Sequence, residues 1–334
     1  MMRNSSIELL RIILMLMIIA LHIMMYHDTF YSLTNVDEII DMLLWSMFGV
    51  AVDAFVLISG YYSIQFKKER LANLVIQTFF YSTSFMVVAI LLGWHPINIR
   101  TDFFALIPIL TKRYWFITSY FALYAISPWL NKWVESLDSI SYRKFLLVGF
   151  FIVYVWPTFN YMINAPQLIG DAGYGLVNFV YLYMLGRYIH LYYSKRYSTV
   201  CYLSGYFLFT FLSFICQYSM SWMLGFEFTS WMSYNTVFCL LGSICLFMSF
   251  KEMTLHSPVI NYWAKPCLAV YLIHMSPYIL IRFCLSIQLN DFHGFQYLLL
   301  ILTLPFFIYT ICAVIEICRS RLMGRFENKL FSLI

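Results

Sequence analysis

Residues 8–22 read ELLRIILMLMIIALH, an apolar run with Glu8 and Arg11 near one end and His22 at the other. Its length and composition are those of a helix set in hydrocarbon, where ionisable groups are costly and mark a partner or a function. The rest of the chain shares that composition. Of its 334 residues, 62% are hydrophobic and 11% charged, against about 25% charged in a soluble domain. A chain this poor in polar groups cannot cover a water-exposed surface of its size. It therefore reads as an all-α protein, a polytopic transmembrane helical bundle forming one domain over 1–334 with no appended soluble domain.

Arg3 ahead of an apolar run would also suit a signal peptide. Glu8 and Arg11 interrupt the run, however, and no small-x-small cleavage site follows before Tyr26, His27 and Asp28, so it is read as a retained membrane helix. Apolar windows predict about ten spans, at roughly 7–26, 40–62, 71–93, 114–130, 145–161, 176–193, 199–220, 231–250, 267–287 and 295–318. With the N-terminus inside, seventeen of the 21 Lys and Arg residues fall on inner loops and ends, and only Arg100, Lys112, Arg113 and Arg282 fall outside. Basic residues are enriched on the cytoplasmic side, so both termini are expected to be cytoplasmic. The net charge of +5 is then a topology signal, and no nucleic-acid partner is implied. The segment 94–113 is expected to be an interfacial or re-entrant piece, and the Gly- and Asn-containing stretch around 160–176 an outer loop. Eight cysteines lie within or near apolar runs without a CxxC pair. They are read as small hydrophobes, with no disulfide framework and no metal site expected.

Arg11 and His22 are eleven residues apart, three turns and about 20°, so they share one helix face with roughly 16 Å between them along the axis. Glu8 and Arg11, at i and i+3, can pair. Taken singly, Arg11 also fits a side chain snorkelling to the interface, and His22 a histidine bonded within the bundle. Their common face points instead to the bundle interior or a water-filled cavity. The second span contains VDAFVLISGYY, residues 52–62, in which Asp53 lies at a depth similar to His22. An aspartate that orients an imidazole is a common acid–base device, so Asp53 is expected to align His22, although an interfacial aspartate is an alternative. QFKKERL follows, placing Lys67, Lys68 and Arg70 at the inner mouth, either as topology anchors or as a site for a phosphate-rich ligand.

Arg and His with ten residues between them in the first helix, the VDAFVLISGYY helix and the basic inner loop together resemble the membrane acyltransferase-3 family. RYWFITSYFALYAISPWL, residues 113–130, resembles that family's Trp-Phe helix ending near Ser-Pro, and YLIHM, residues 271–275, its late Tyr-x-x-His helix. The resemblance implies a multi-pass protein of the bacterial plasma membrane that moves an acyl group, commonly acetyl, from cytosolic acyl-CoA to a hydroxyl of an extracytoplasmic or lipid-linked glycan. It implies acetyl-CoA as co-substrate, with no permanently bound cofactor. His22 matches the family's catalytic histidine and Arg11 its partner arginine. Lys67 and Arg70 match a basic pair that is commonly two arginines; the lysine keeps the charge and loses the bidentate geometry.

On this reading Lys67, Lys68, Arg70 and Arg11 hold acyl-CoA, and His22 acts as general base or as acyl relay. Trp115, Tyr120 and His274 are candidates for the acceptor side, though aromatic membrane belts supply many such rings and His274 also fits a histidine bonded within the bundle. His95, His190, His256 and His293 fall in loops or at helix ends and receive no role. The competing readings are a glycan or lipid transporter and a non-catalytic scaffold of a polysaccharide assembly complex. A transporter would favour Gly- and Pro-broken helices in matching halves, whereas the 13 glycines are scattered and no internal repeat is evident.

Overall fold

The computed structural model describes residues 4–27, 35–225 and 228–331, and among these it contains helices and no strand. In chain order they are α1 Ser5–Met24, α2 Val36–Phe48, α3 Val50–Tyr62, α4 Lys68–Leu91, α5 Ile99–Leu106, α6 Trp115–Ser136 and α7 Ser139–Phe150. There follow α8 Trp156–Met162, α9 Leu176–Tyr192, α10 Thr199–Leu224, α11 Val237–Lys251, α12 Pro258–Trp263, α13 Cys267–His274, α14 Leu280–Ser286 and α15 Gly294–Phe331. Polar caps start many of them: the side chains of Asn4, Asn98, Asp138, Ser198 and Thr236 accept first-turn amides of α1, α5, α7, α10 and α11.

Among the described residues six stretches are long and apolar enough to cross a bilayer: Ser5–Met24, Val36–Tyr62, Lys68–Leu91, Ser139–Met162, Thr199–Leu224 and Gly294–Gly324. The expected windows at 114–130, 176–193 and 231–250 coincide with α6, α9 and α11. The window at 40–62 is two helices that meet at Gly49. The window at 267–287 is not one span: α13 stops at His274 and α14 begins at Leu280. Pro277 lies between them; it lacks an amide hydrogen and disfavours helix in the residue before it. Pro157 acts more gently. It cannot donate to the Val153 carbonyl, and α7 joins α8 through a single π-helical turn, Phe151–Val155, that absorbs the lost bond. The 94–113 segment contains the short helix α5, which leaves Ile99 and Phe103 exposed.

The centre is α1 with α3. The apolar window of α1 is 61% buried and that of the Val36–Tyr62 stretch, which α2 and α3 form, 67%, against 22% for α10. α1 packs on α2, α3, α11, α12, α13 and α15, and α3 on α9 and α11. The α3–α9 contact requires glycine on both sides. A Cβ at Gly186 would stand 2.5 Å from the Leu57 carbonyl oxygen, and one at Gly60 would overlap the Tyr183 carbonyl. Backbones approach this closely in lipid only through small residues, which explains the glycine in LISGYY. Gly186→Val should therefore cost about 1–3 kcal/mol by overpacking and lower the thermal unfolding midpoint in detergent. Gly324→Ala, which meets nothing within 4 Å, should leave that midpoint in place.

Candidate active site

A cavity of about 640 Å³ runs between α1, α3, α6 and α13. Asn4, Glu8, Gln65 and Arg70 border one end; His22, Trp115 and Tyr234 lie toward the other, with Arg11 and Tyr120 between. Arg11 and His22 thus share the cavity wall, as the helical spacing requires. Arg11 faces the cavity rather than lipid, and its Nη1 donates to Glu8 Oε2 at 3.2 Å. The start of α1 is fixed from outside the helix. Ser6 Oγ donates to the Met253 carbonyl at 2.9 Å and accepts the Leu255 amide, while Ser5 Oγ accepts the Ser257 amide at 2.9 Å.

His22 is held by a second histidine. Its Nδ1 lies 2.9 Å from His274 Nε2, and His274 Nδ1 lies 2.6 Å from the Val270 carbonyl oxygen. A carbonyl only accepts, which assigns the proton of a neutral His274 to Nδ1 and leaves its Nε2 as an acceptor. His22 must then donate from Nδ1, and its Nε2 keeps a lone pair. The ring nitrogen of His22 left for chemistry is therefore a base. His274 itself does not line the cavity; it is buried behind His22, and Tyr271 packs against both rings at 6.5 and 5.9 Å.

Asp53 does not align His22. Its buried carboxylate is met by the Tyr154 hydroxyl at 3.5 Å, Asn178 Nδ2 at 3.3 Å and Cys239 Sγ at 3.9 Å. The reason is angular. Val52, Phe55, Ser59 and Tyr62 line the cavity at helical spacing, and Asp53, one residue and about 100° from Val52, faces away from it toward α9 and α11. The basic loop also divides. Arg70 borders the cavity, whereas Lys67 and Lys68 are exposed and do not. That loop is pinned by residues the sequence reading passed over. Tyr124 Oη accepts the Lys67 amide at 2.9 Å, and Asn131 Nδ2 donates to the Ile64 carbonyl at 3.0 Å. The Tyr183 hydroxyl donates to Asn131 Oδ1 at 2.7 Å. Ser63 sits among them in the left-handed region, φ +61°, a conformation that persists because its neighbours impose it.

Trp115 lines the cavity with its ring stacked on Tyr234 at 5.7 Å and edge-on to Tyr174 at 4.4 Å. Tyr120 lies deeper than the expected outer mouth, beside Ser59 and in the field of Arg11. Nothing in the sequence singles out Tyr234, and Tyr271 stands there only as the tyrosine of the Tyr-x-x-His helix, because the two come from distant parts of the chain and their period is that of any buried aromatic.

The family model described as an acyltransferase domain, acyltransferase-3, matches residues 4–317. No curated protein and no solved structure matches the chain.

Asn178 Nδ2 and Cys239 Sγ point at the Asp53 carboxylate, and the Tyr154 hydroxyl, whose shorter bond at 2.5 Å goes to Asn178 Oδ1, lies beside it. Asp53→Asn would set an amide N–H₂ against one of them, at a cost of about 1–3 kcal/mol. The substitution should lower the unfolding midpoint while the turnover of the folded fraction, measured per mole of monodisperse protein, stays within about twofold of wild type. A loss of turnover at unchanged stability would place Asp53 in the chemistry after all.

Proposed function

The chain belongs to the acyltransferase-3 family, and we propose that it transfers an acyl group, acetyl foremost, from cytosolic acyl-CoA to a hydroxyl of an extracytoplasmic or lipid-linked glycan. In this reading it is a multi-pass protein of the bacterial plasma membrane with both termini in the cytoplasm and about ten spans. The observation that carries the proposal is one continuous cavity with Arg70 and Arg11 toward one end and a histidine with an open Nε2 toward the other.

Arg70 and Arg11 are cations suited to the phosphates of the donor nucleotide. The extended pantetheine arm then follows the face of α1 for the roughly 16 Å between Arg11 and His22. At the far end, His22 Nε2 takes the proton of the acceptor hydroxyl as its oxygen attacks the thioester carbonyl. The tetrahedral intermediate collapses with cleavage of the carbon–sulfur bond. The proton returns from the imidazolium to the leaving thiolate, so ester and CoA thiol are formed with no net proton change. His274 accepts from His22 Nδ1 throughout, which fixes the tautomer and disperses the transient positive charge over two rings. A neutral imidazole base suits this depth, since it carries no charge into hydrocarbon before the acceptor arrives. Trp115 and Tyr234 offer apolar faces on which a sugar ring can stack.

With labelled acetyl-CoA and membranes containing acceptor, His22→Ala should reduce transfer about 10²–10⁴-fold. Undiminished transfer would remove the histidine mechanism. Movement of glycan without acylation by the wild type would favour a transporter. His274→Ala should lower kcat with little change in the KM for the donor, because it acts through His22.

The donor end gives a separate expectation. Arg70→Gln should raise the donor KM by about tenfold, a loss of one charge-assisted contact, whereas Lys67→Gln, outside the cavity, should change it by less than twofold. Equal effects would mean that the whole loop, rather than the cavity rim, holds the nucleotide.

A further inference from the structure

α1 is followed by a second group of titratable side chains that the acyl-transfer site does not use. His27 comes just after α1, Asp37 and Asp41 lie in α2, and His293 immediately precedes α15. One ligand atom from each of His27, Asp37 and His293 falls within 4.8 Å of the others. His293 Nδ1 lies 2.8 Å from Asp37 Oδ2, and His27 Nδ1 lies 4.0 Å from Asp41 Oδ2. His293 and Asp37 alone are 256 positions apart in the chain, so three distant segments are gathered at one point.

We propose that His27, Asp37 and His293, with Asp41 as the fourth donor, form a binding site for a divalent metal ion of the zinc class. Two imidazoles and carboxylate oxygens are a donor set that suits zinc. Two carboxylates balance the dication, so the loaded site is neutral where the bundle meets its surroundings. The carboxylates are already oriented by a surrounding layer of hydrogen bonds. The Gly294 amide donates to Asp37 Oδ1 at 2.6 Å and the Tyr297 hydroxyl to Asp41 Oδ1 at 2.5 Å, leaving the other oxygen of each toward the histidines. Such outer bonds accompany metal ligands because they fix the direction of the lone pair. The His27 ring is stacked on Tyr297 at 4.1 Å, which sets its plane.

Donors 2.0–2.1 Å from a tetrahedral zinc stand roughly 3.3 Å apart, so the present spacing closes by small side-chain rotations. His293, 70% exposed, has room to make the largest of them. Loading breaks the His293–Asp37 hydrogen bond: His293 binds as the neutral ring with its proton on Nε2, the Nδ1 proton exchanges through solvent, and the metal takes its place between the two residues. A bound ion would tie the end of α1 to the start of α2 and to the start of α15. A lone hydrogen-bonded His–Asp pair, by contrast, needs neither a second histidine nor a second oriented carboxylate. His95 and Asp102, 2.8 Å apart with no third ligand grouped with them among the described residues, are such a pair.

The test uses the full chain purified in detergent, with any polyhistidine tag removed, stripped with EDTA and then given zinc. Elemental analysis should find one zinc per chain. Zinc should raise the unfolding midpoint, and cobalt in its place should give the visible absorption of a tetrahedral site. His293→Ala removes a ligand whose side chain is largely outside the core, so the fold should survive, and zinc affinity should fall by more than about tenfold. His95→Ala should leave stoichiometry and affinity unchanged. Substoichiometric zinc in the wild type, or equal binding by wild type and His293→Ala, would overturn the assignment.

Discussion

In hydrocarbon no water is available to satisfy a polar group, so every ionisable side chain inside the bundle has to be met by another part of the protein. The interior is organised around four such meetings. Arg11 pairs with Glu8, and His22 with His274 and through it the Val270 carbonyl. Asp53 collects Tyr154, Asn178 and Cys239. Glu316 receives Arg319 through Nε at 2.7 Å and Nη2 at 2.9 Å, Gln77 at 3.1 Å and the Tyr81 hydroxyl. Each joins helices or locks a turn, and apolar packing fills the space between. Leu- and Ile-rich faces alone would not select one arrangement, because lipid tails are as apolar as they are.

The same constraint separates structural from chemical polar groups. The Asp53 and Glu316 clusters surround their carboxylates with donors and have no place in the cavity wall. The His22 pair is different: its hydrogen bonds use one nitrogen of His22 and both of His274, and one basic nitrogen is left beside the cavity. Among the described residues Arg11 likewise donates to a single acceptor, Glu8, from a guanidinium with five donor hydrogens. The groups with spare capacity are those that line the cavity.

Helix positions were legible in the sequence wherever an apolar run was long, and so was the shared face of Arg11 and His22, because the α-helical period alone decides it. Pro277 is equally visible and divides the 267–287 window, but a single proline hardly changes the mean hydropathy of twenty residues. Asp53 was assigned by depth, while the angle that turns it from the cavity was available in the spacing of Val52, Phe55, Ser59 and Tyr62. Pairings between distant segments carry no local signal. His274 reads from the sequence either as a cavity residue or as a histidine bonded within the bundle, and its position 252 residues after His22 says nothing of a 2.9 Å contact. His27 and His293 had still less to mark them, since a loop histidine reads as unremarkable until another segment brings a carboxylate to it.

The geometry at His22 depends on α1 being held along its length. A sliding or rotation of α1 by one residue would move His22 by 1.5 Å and 100° and break the contact with His274 on α13. At one end the hydroxyls of Ser5 and Ser6 bind the backbone between Met253 and Ser257, just before α12. At the other, His27 stacks on Tyr297 of α15, which is itself bonded to Asp41 of α2. α13 also packs against α15. α15 is therefore the common reference for both histidines: it contacts the helix that carries His22 and the helix that carries His274. The long helix α15, which has no residue in the proposed chemistry, is what keeps the two histidines in register.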